Sequence, residues 1–190
     1  IMNTRTLWIG LVLVTLFSFS VLLFFGKEIY RLKPPIPEKV VSDKGEVLFT
    51  AQEIKDGQNV WQSIGGQQVG TVWGHGAYLA PDWSADWLHR ESLTILGAWS
   101  QSEFGLPFDN LAPEKKAMLE VRLQETLRTN TYDPKTGVLT LSADRVSAVK
   151  NNTDWYAGLF MDDPSLAKLR EAYSIPANTI KEKGRMDAMN

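Results

Sequence analysis

The stretch DGQNVWQSIGGQQVGTVWGHGAYLAPDWSADWLHRE, Asp56 to Glu91, carries the decision about the fold. Trp61 and Ile64 stand three apart, at helical spacing, and the pattern stops at Gly65-Gly66, a pair that ends helices because glycine reaches backbone angles other residues avoid. Five glycines then fall between Gly65 and Pro81, and from Asp82 the apolar spacing is helical again. The stretch therefore predicts helix, glycine-rich loop, helix. The loop carries His75 and Tyr78, side chains able to ligate a metal or pass a proton.

Working outward, Thr50 followed by Glu53 is a capping box that opens the first helix, with Ile54, Trp61 and Ile64 on one side of it. Before it, VVSDKGEVLFT sets apolar runs on either side of Ser-Asp-Lys-Gly and predicts a hairpin. After Pro81, DWSADWLHRESLTILGAWSQSEF predicts a second helix with Trp87, Leu88, Leu93, Leu96 and Trp99 as apolar material, closed by Gly105-Leu106-Pro107. Pro113 opens a third, amphipathic surface helix to about Arg128, in which Met118, Val121, Leu123 and Leu127 are interspersed with charges. TYDPKTGVLTLSAD predicts a second hairpin around Asp-Pro-Lys-Thr-Gly, and Ser142 caps a short helix. The tail from Asp162 holds one short helix after Pro164 and no domain-closing feature.

Far upstream, LWIGLVLVTLFSFSVLLFF, Leu7 to Phe25, runs for 19 residues without a charge. At about 1.5 Å per residue such a helix matches the ~30 Å hydrocarbon thickness of a bilayer. The run is too long for a signal peptide core and is followed by FFGKEIYRLKPP with no small-residue cleavage site, so it predicts a retained anchor. PPIPEK is then a stiff, extended linker. Lys27, Arg31 and Lys33 outweigh Arg5 across the span, and charge alone leans toward a cytoplasmic C-terminal side.

Composition narrows the function. A net charge of −2 with mixed signs offers no basic stripe for phosphates, so nucleic acid is not a partner. No cysteine is present, which removes disulfides, thiolate metal sites and thioether haem attachment. The only histidines, His75 and His89, are fourteen residues apart on different elements, a poor spacing for a shared metal. His89, beside Arg90 and Glu91, reads as a solvated or paired helix residue. Asp82 and Asp86 sit four apart at a helix start, where negative charge complements the dipole; the alternative is a carboxylate pair in a cleft of Trp73, Trp83 and Trp87, as a sugar hydrolase has. Asp82, Asp86 and Glu91 also read as solvated carboxylates or as the lining of a water path.

The anchor, the PPIPEKV linker, the long motif and the RMDAMN end together resemble the N-terminal region of quinol-dependent nitric oxide reductases of the haem-copper oxidase superfamily. That region is similar to the small cytochrome c component of the cytochrome-dependent relatives, in which Cys-x-x-Cys-His precedes Gly-x-Gly-Ala-Tyr-x-Ala-Pro. Laying Gly74 to Pro81 on the second motif without a gap puts Gly66, Val69 and Gly70 where the two cysteines and the axial histidine stand. The resemblance implies a mainly α fold: a transmembrane anchor helix at 1–33, an extracytoplasmic cytochrome c-like helical domain with small β-hairpins and no haem at 34–180, and a connection at 181–190 toward a catalytic helical bundle. Trp, Val and Ile side chains are expected to fill the former haem pocket.

The implied activity of the whole protein is reduction of nitric oxide to nitrous oxide and water with electrons from a quinol. The segment itself is expected to be non-catalytic and to bind no cofactor alone, since two b-type haems and a non-haem iron belong to the bundle. Backbone carbonyls of Gly76 and Tyr78 are the positions implied to help hold a calcium ion. The implied partners are the bundle of the same protein, a quinol and the membrane, with the soluble domain on the periplasmic side of a bacterial inner membrane. An anchored binding module acting alone is the alternative, followed by the carboxylate and tryptophan hydrolase.

Overall fold

The computed structural model describes residues 3–32, 34–72, 74 and 81–189. The chain divides into two compact units, Ile1–Ile36 and Pro37–Asn190. The first is one helix, α1 (Thr4–Leu32), longer than the uncharged run because it also takes in Thr4 to Thr6 and Gly26 to Leu32, where Glu28 and Arg31 pair one turn apart. None of it is buried, and its length and hydropathy suffice to cross a membrane. Ser20 donates its hydroxyl to the Leu16 carbonyl at 2.8 Å, one turn back, so that polar group needs no water.

The second unit begins with the first hairpin, β1 (Lys39–Ser42) and β2 (Val47–Thr50), whose register shifts between Val40 and Val41. The second hairpin is β3 (Tyr132–Asp133) and β4 (Val138–Leu141). They are not separate. β1 pairs in parallel with β4, Lys39 opposite Val138 through Ser42 opposite Leu141, giving one sheet in the order β2-β1-β4-β3. Val40 and Leu141, both buried, give that pairing its apolar face. A parallel pair needs a long crossover, and here three helices, described next, lie between the two strands in the chain.

The helices keep the ends their sequences dictate. α2 (Ala51–Ser63) starts at the full capping box, with Glu53 N–H donating to Thr50 Oγ1 at 3.3 Å and Thr50 N–H to Glu53 Oε2 at 2.8 Å. α3 (Trp83–Phe104) is capped by Asp82, and α4 (Pro113–Arg128) opens on proline. α5 (Ala143–Phe160), capped by Ser142, is 18 residues long and corrects the expectation of a short helix. It lies antiparallel to α3: Trp83 meets Phe160, Trp87 stacks on Tyr156 and Trp99 bonds Asp144.

Two apolar clusters sit along this pair. One joins Trp83, Tyr156, Leu159, Phe160, Ile175, Ile180 and Met186; the other joins Ile95, Leu96, Trp99, Leu111, Leu119, Leu123 and Ala148. Each fully buried aliphatic or aromatic side chain is worth about 1.5–3 kcal/mol. The core face of α3 therefore runs through Trp83, Glu91, Ile95, Leu96 and Trp99, while Leu88 and Leu93, expected as packing material, are exposed. In α4 the inward residues are Leu119 and Leu123, with Met118 and Val121 outside.

The tail does close the domain, contrary to the expectation from sequence. After α6 (Ala167–Ala172), α7 (Lys183–Met189) lies against α2 with Met186 fully buried. The approach is close because Gly57 of α2 has no side chain: a Cβ there would stand 2.5 Å from the Ala188 carbonyl oxygen. Gly57→Ala is expected to displace α7 locally, at about 1–3 kcal/mol, seen as faster amide exchange in residues 183–189 with α3 exchange unchanged.

Candidate functional site

The chain leaves α2 through a 3-10 turn at Gly66–Gln68, and this places the three positions of interest over the first apolar cluster. Gly66 and Gly70 are buried and Val69 is half-buried against the cluster. A Cβ at Gly66 would fall within 2.7 Å of Trp61 Cε3 and nearer still to two other indole carbons. At Gly70, where φ is 145°, a Cβ would meet Trp83 Cε2 at 2.7 Å and the Pro81 carbonyl oxygen at 2.8 Å. Two indoles thus occupy the space into which side chains at these positions would project.

Those indoles anchor an aromatic network. Trp61 and Trp83 meet edge to face at 6.2 Å, and both contact Phe160, at 6.0 and 5.6 Å. Trp83 also reaches Tyr156 at 6.0 Å and Tyr173 at 6.1 Å. Such pairs add about 0.5–1.5 kcal/mol each beyond their buried area. Trp83 is 7% exposed, and its Nε1 is the one buried side-chain polar atom among the described residues without a hydrogen-bond partner. Packing against Gly70 has been favoured over satisfying that N–H, which costs about 1–3 kcal/mol.

A covalently attached haem does not fit here. Neither glycine nor valine supplies a thiol or an iron ligand, and the indoles leave no room for larger side chains at Gly66 or Gly70. Beside the network lies an open groove of about 1160 Å³ whose described walls include Trp61, Gly70, Trp83, Trp87, Tyr156 and Phe160.

The carboxylates have other engagements. Asp82 Oδ1 accepts from the Ala85 N–H at 3.1 Å, the cap of α3, while Oδ2 accepts from Thr71 Oγ1 at 3.0 Å and the Gly74 N–H at 2.7 Å. The Gly74 bond foremost, helped by the other donors, holds its carboxyl below the usual carboxylate range. Asp86 Oδ2 accepts from Tyr156 Oη at 2.6 Å and from Arg90 Nε at 2.8 Å. The Arg90 guanidinium lies over the Trp155 ring at 3.1 Å from its centroid. Neither aspartate is among the described residues lining the groove, whose carboxylates are Glu53, Asp56 and Asp187, so the pair named from sequence does not face it.

Burial first, then the hydrogen bond to Asp86 and after it the Asp86 charge, push the Tyr156 hydroxyl far above the ordinary tyrosine range. A folded-state pKa raised in this way contributes stability that is complete below the unfolded value near 10 and declines as pH rises beyond it. Tyr156→Phe is expected to cost about 1–1.5 kcal/mol at pH 7 and to flatten the loss of stability above pH 10, as denaturant midpoints across pH 7–11 measure.

Glu91 corrects the expectation of a solvated carboxylate or a water path. It is 1% exposed and accepts from Arg145 of α5, Nε at 2.6 Å and Nη2 at 3.4 Å. His89 is exposed on α3. Trp73, His75, Gly76 and Tyr78 lie outside the described residues. Among the described residues, no three His, Cys, Asp or Glu side chains come together as a metal site would require. Sequence reasoning missed Tyr156, Arg145 and Thr71 altogether. The Trp155-Tyr156 and Leu159-Phe160 doublets were the available signal for the first, and nothing local marks the other two.

A comparison with characterised proteins returns no match. A family model does match over residues 37–190, and it describes the cytochrome c-like domain of the NorB chain of nitric oxide reductase. Those residues are the second compact unit with its helical pair, its sheet and the glycine-rich loop. By that match the chain belongs to the NorB cytochrome c-like domain family of the nitric oxide reductases.

Proposed function

We propose that this chain is the membrane anchor and haem-less cytochrome c-like domain of a quinol-dependent nitric oxide reductase. In this reading the second unit stands on the periplasmic side of a bacterial inner membrane. It is a structural and interface element over a catalytic helical bundle of the same protein, where two b-type haems and a non-haem iron reduce nitric oxide to nitrous oxide. The loop from Gly74 to Pro81 is the docking edge, and backbone carbonyls of Gly76 and Tyr78 are its calcium ligands. Calcium prefers such hard oxygen donors.

The observation that carries the reading is the pair of glycines under indoles. A cytochrome c domain that received electrons from a soluble cytochrome would need a haem attached where Gly66, Val69 and Gly70 now stand. Trp61 and Trp83 press against two of those positions and leave no room there for side chains that would attach a haem, which favours electrons entering elsewhere, from a membrane-soluble donor. α1 supplies the membrane attachment that such a donor requires.

The test is spectroscopic and analytical. The intact membrane protein is expected to show b-type and no c-type absorption bands, to oxidise a quinol with nitric oxide as acceptor, and to contain calcium on metal analysis. A c-type band would end the reading. Activity with reduced cytochrome c but not with a quinol would restrict it to the family alone.

A further inference from the structure

Helices commonly close on a glycine that turns left-handed, but no glycine follows Phe160 at the end of α5, and Met161 does not turn that way. Its last carbonyls are closed from a distance instead. Ile180 N–H donates to the Phe160 carbonyl at 3.1 Å and Asn178 N–H to the Met161 carbonyl at 2.5 Å. Arg170 of α6, 4% exposed, gives Nη1 to the Gly158 carbonyl at 3.2 Å, at the helix end where a cation is favoured. Its Nη2 reaches the Asp163 carbonyl at 2.8 Å and Asp162 Oδ1 at 3.1 Å. Asp162 passes the grip on, because its Oδ2 accepts from Asn178 Nδ2 at 3.3 Å.

The segment held in this way would not keep its shape alone. Ser174 and Asn178, with φ of 56° and 54°, are the only described residues other than glycine in the left-handed region. α7 has seven residues, too few to persist as a helix without a partner surface. Its seat is α2: Met186 enters the core, Arg185 Nη2 donates to Ser63 Oγ at 2.6 Å, and the Ala188 backbone comes down on Gly57. In that seat Asp187, Ala188 and Met189 form one wall of the aromatic groove.

We propose that residues 174–189 are a strap latched by Arg170: while the latch holds, α7 walls the groove, and when it lets go the strap leaves as a unit, baring Met186 and widening the groove. The guanidinium is the latch because it shapes the turn after α5 that presents the Phe160 and Met161 carbonyls to the strap. Arg170 is thus a positioning residue, acting on α7 through Asp162 and Asn178.

The test measures amide exchange in the membrane-anchored protein for Arg170→Lys, Asp162→Asn and Ser174→Gly. Each is also made together with Met186→Cys, whose thiol is labelled with a maleimide and read on the peptide that carries it. Lysine keeps the charge but has no planar fork to meet three acceptors, and asparagine removes only the charge that joins latch to strap. Exchange in 174–189 and labelling at 186 are expected to rise roughly tenfold in Arg170→Lys and about twofold to threefold in Asp162→Asn, with α3 and α4 unchanged. Ser174→Gly, which relieves the left-handed strain, is expected to slow both about twofold. If Arg170→Lys does not fold, the variants at the exposed Asp162 and Ser174 decide. Unchanged exchange in 174–189 would overturn the proposal, as would an equal rise in α3 and α4, which is loss of the whole fold and not of a latch. Faster exchange with unchanged labelling would overturn it too, since α7 would then have stayed in its seat.

Discussion

Gly70→Ala is expected to lower the stability of the second unit by about 2–6 kcal/mol, from about 1–3 kcal/mol of overpacking and a similar strain from a non-glycine residue at such a φ. The added methyl group has nowhere to go. It meets the Trp83 ring on one side and the Pro81 carbonyl on the other, and φ is 145°. Trp83 does not yield readily, because it packs against the rings of Trp61, Tyr156, Phe160 and Tyr173. For a unit of this size the loss corresponds to a fall in Tm of about 10 °C. Gly66→Ala, with steric cost only, is expected to lose about half as much. A Gly70→Ala melt within about 2 °C of the parent would mean that the indole is not pinned against this backbone.

The second large effect concerns the ion pair between the central helices. The Glu91 side chain is 2% exposed whereas the Arg145 side chain is 23% exposed, so the two partners do not stand on equal terms. Arg145→Met strands a carboxylate in the core and is expected to cost about 3–5 kcal/mol. Glu91→Met leaves an arginine whose long stem can carry its charge to water, and about 1–2 kcal/mol is expected. In the double variant neither charge remains, and the apolar side chains can pack with Ile95 and Ala148 nearby on the same helices. It is expected to return to within about 1 kcal/mol of the parent. Denaturant midpoints of the four proteins close the cycle; simple additivity of the two losses would show that the residues do not act as a pair.

Much of the local structure was legible. The apolar run of α1, the Thr50–Glu53 capping box, the Asp82 and Ser142 caps, the Pro113 start and both hairpins are all where short-range rules put them. The caps rest on interactions within about four residues and each hairpin on one short turn, which a linear pattern can display. The site was less legible. The residues named from sequence at Gly66, Val69 and Gly70 fall on the edge of the aromatic cluster, yet their neighbours there, Tyr156 and Phe160, come from a helix expected to be short.

What the amino-acid order determined by itself was therefore the menu: a helix long and apolar enough for a membrane, a chain with no thiol, helices with defined ends, two tight turns and a loop rich in glycine. What only the tertiary structure decided was which of these meet. The parallel pairing of β1 with β4, the burial of Glu91 against Arg145, the bond from Tyr156 to Asp86, the closing of α7 over Gly57 and the second grip of Asp82 on Thr71 and Gly74 all join residues far apart in the chain or on different elements. Such contacts are selected by how whole faces pack and by the cost of leaving a buried polar group alone, and neither is written in the spacing of neighbours.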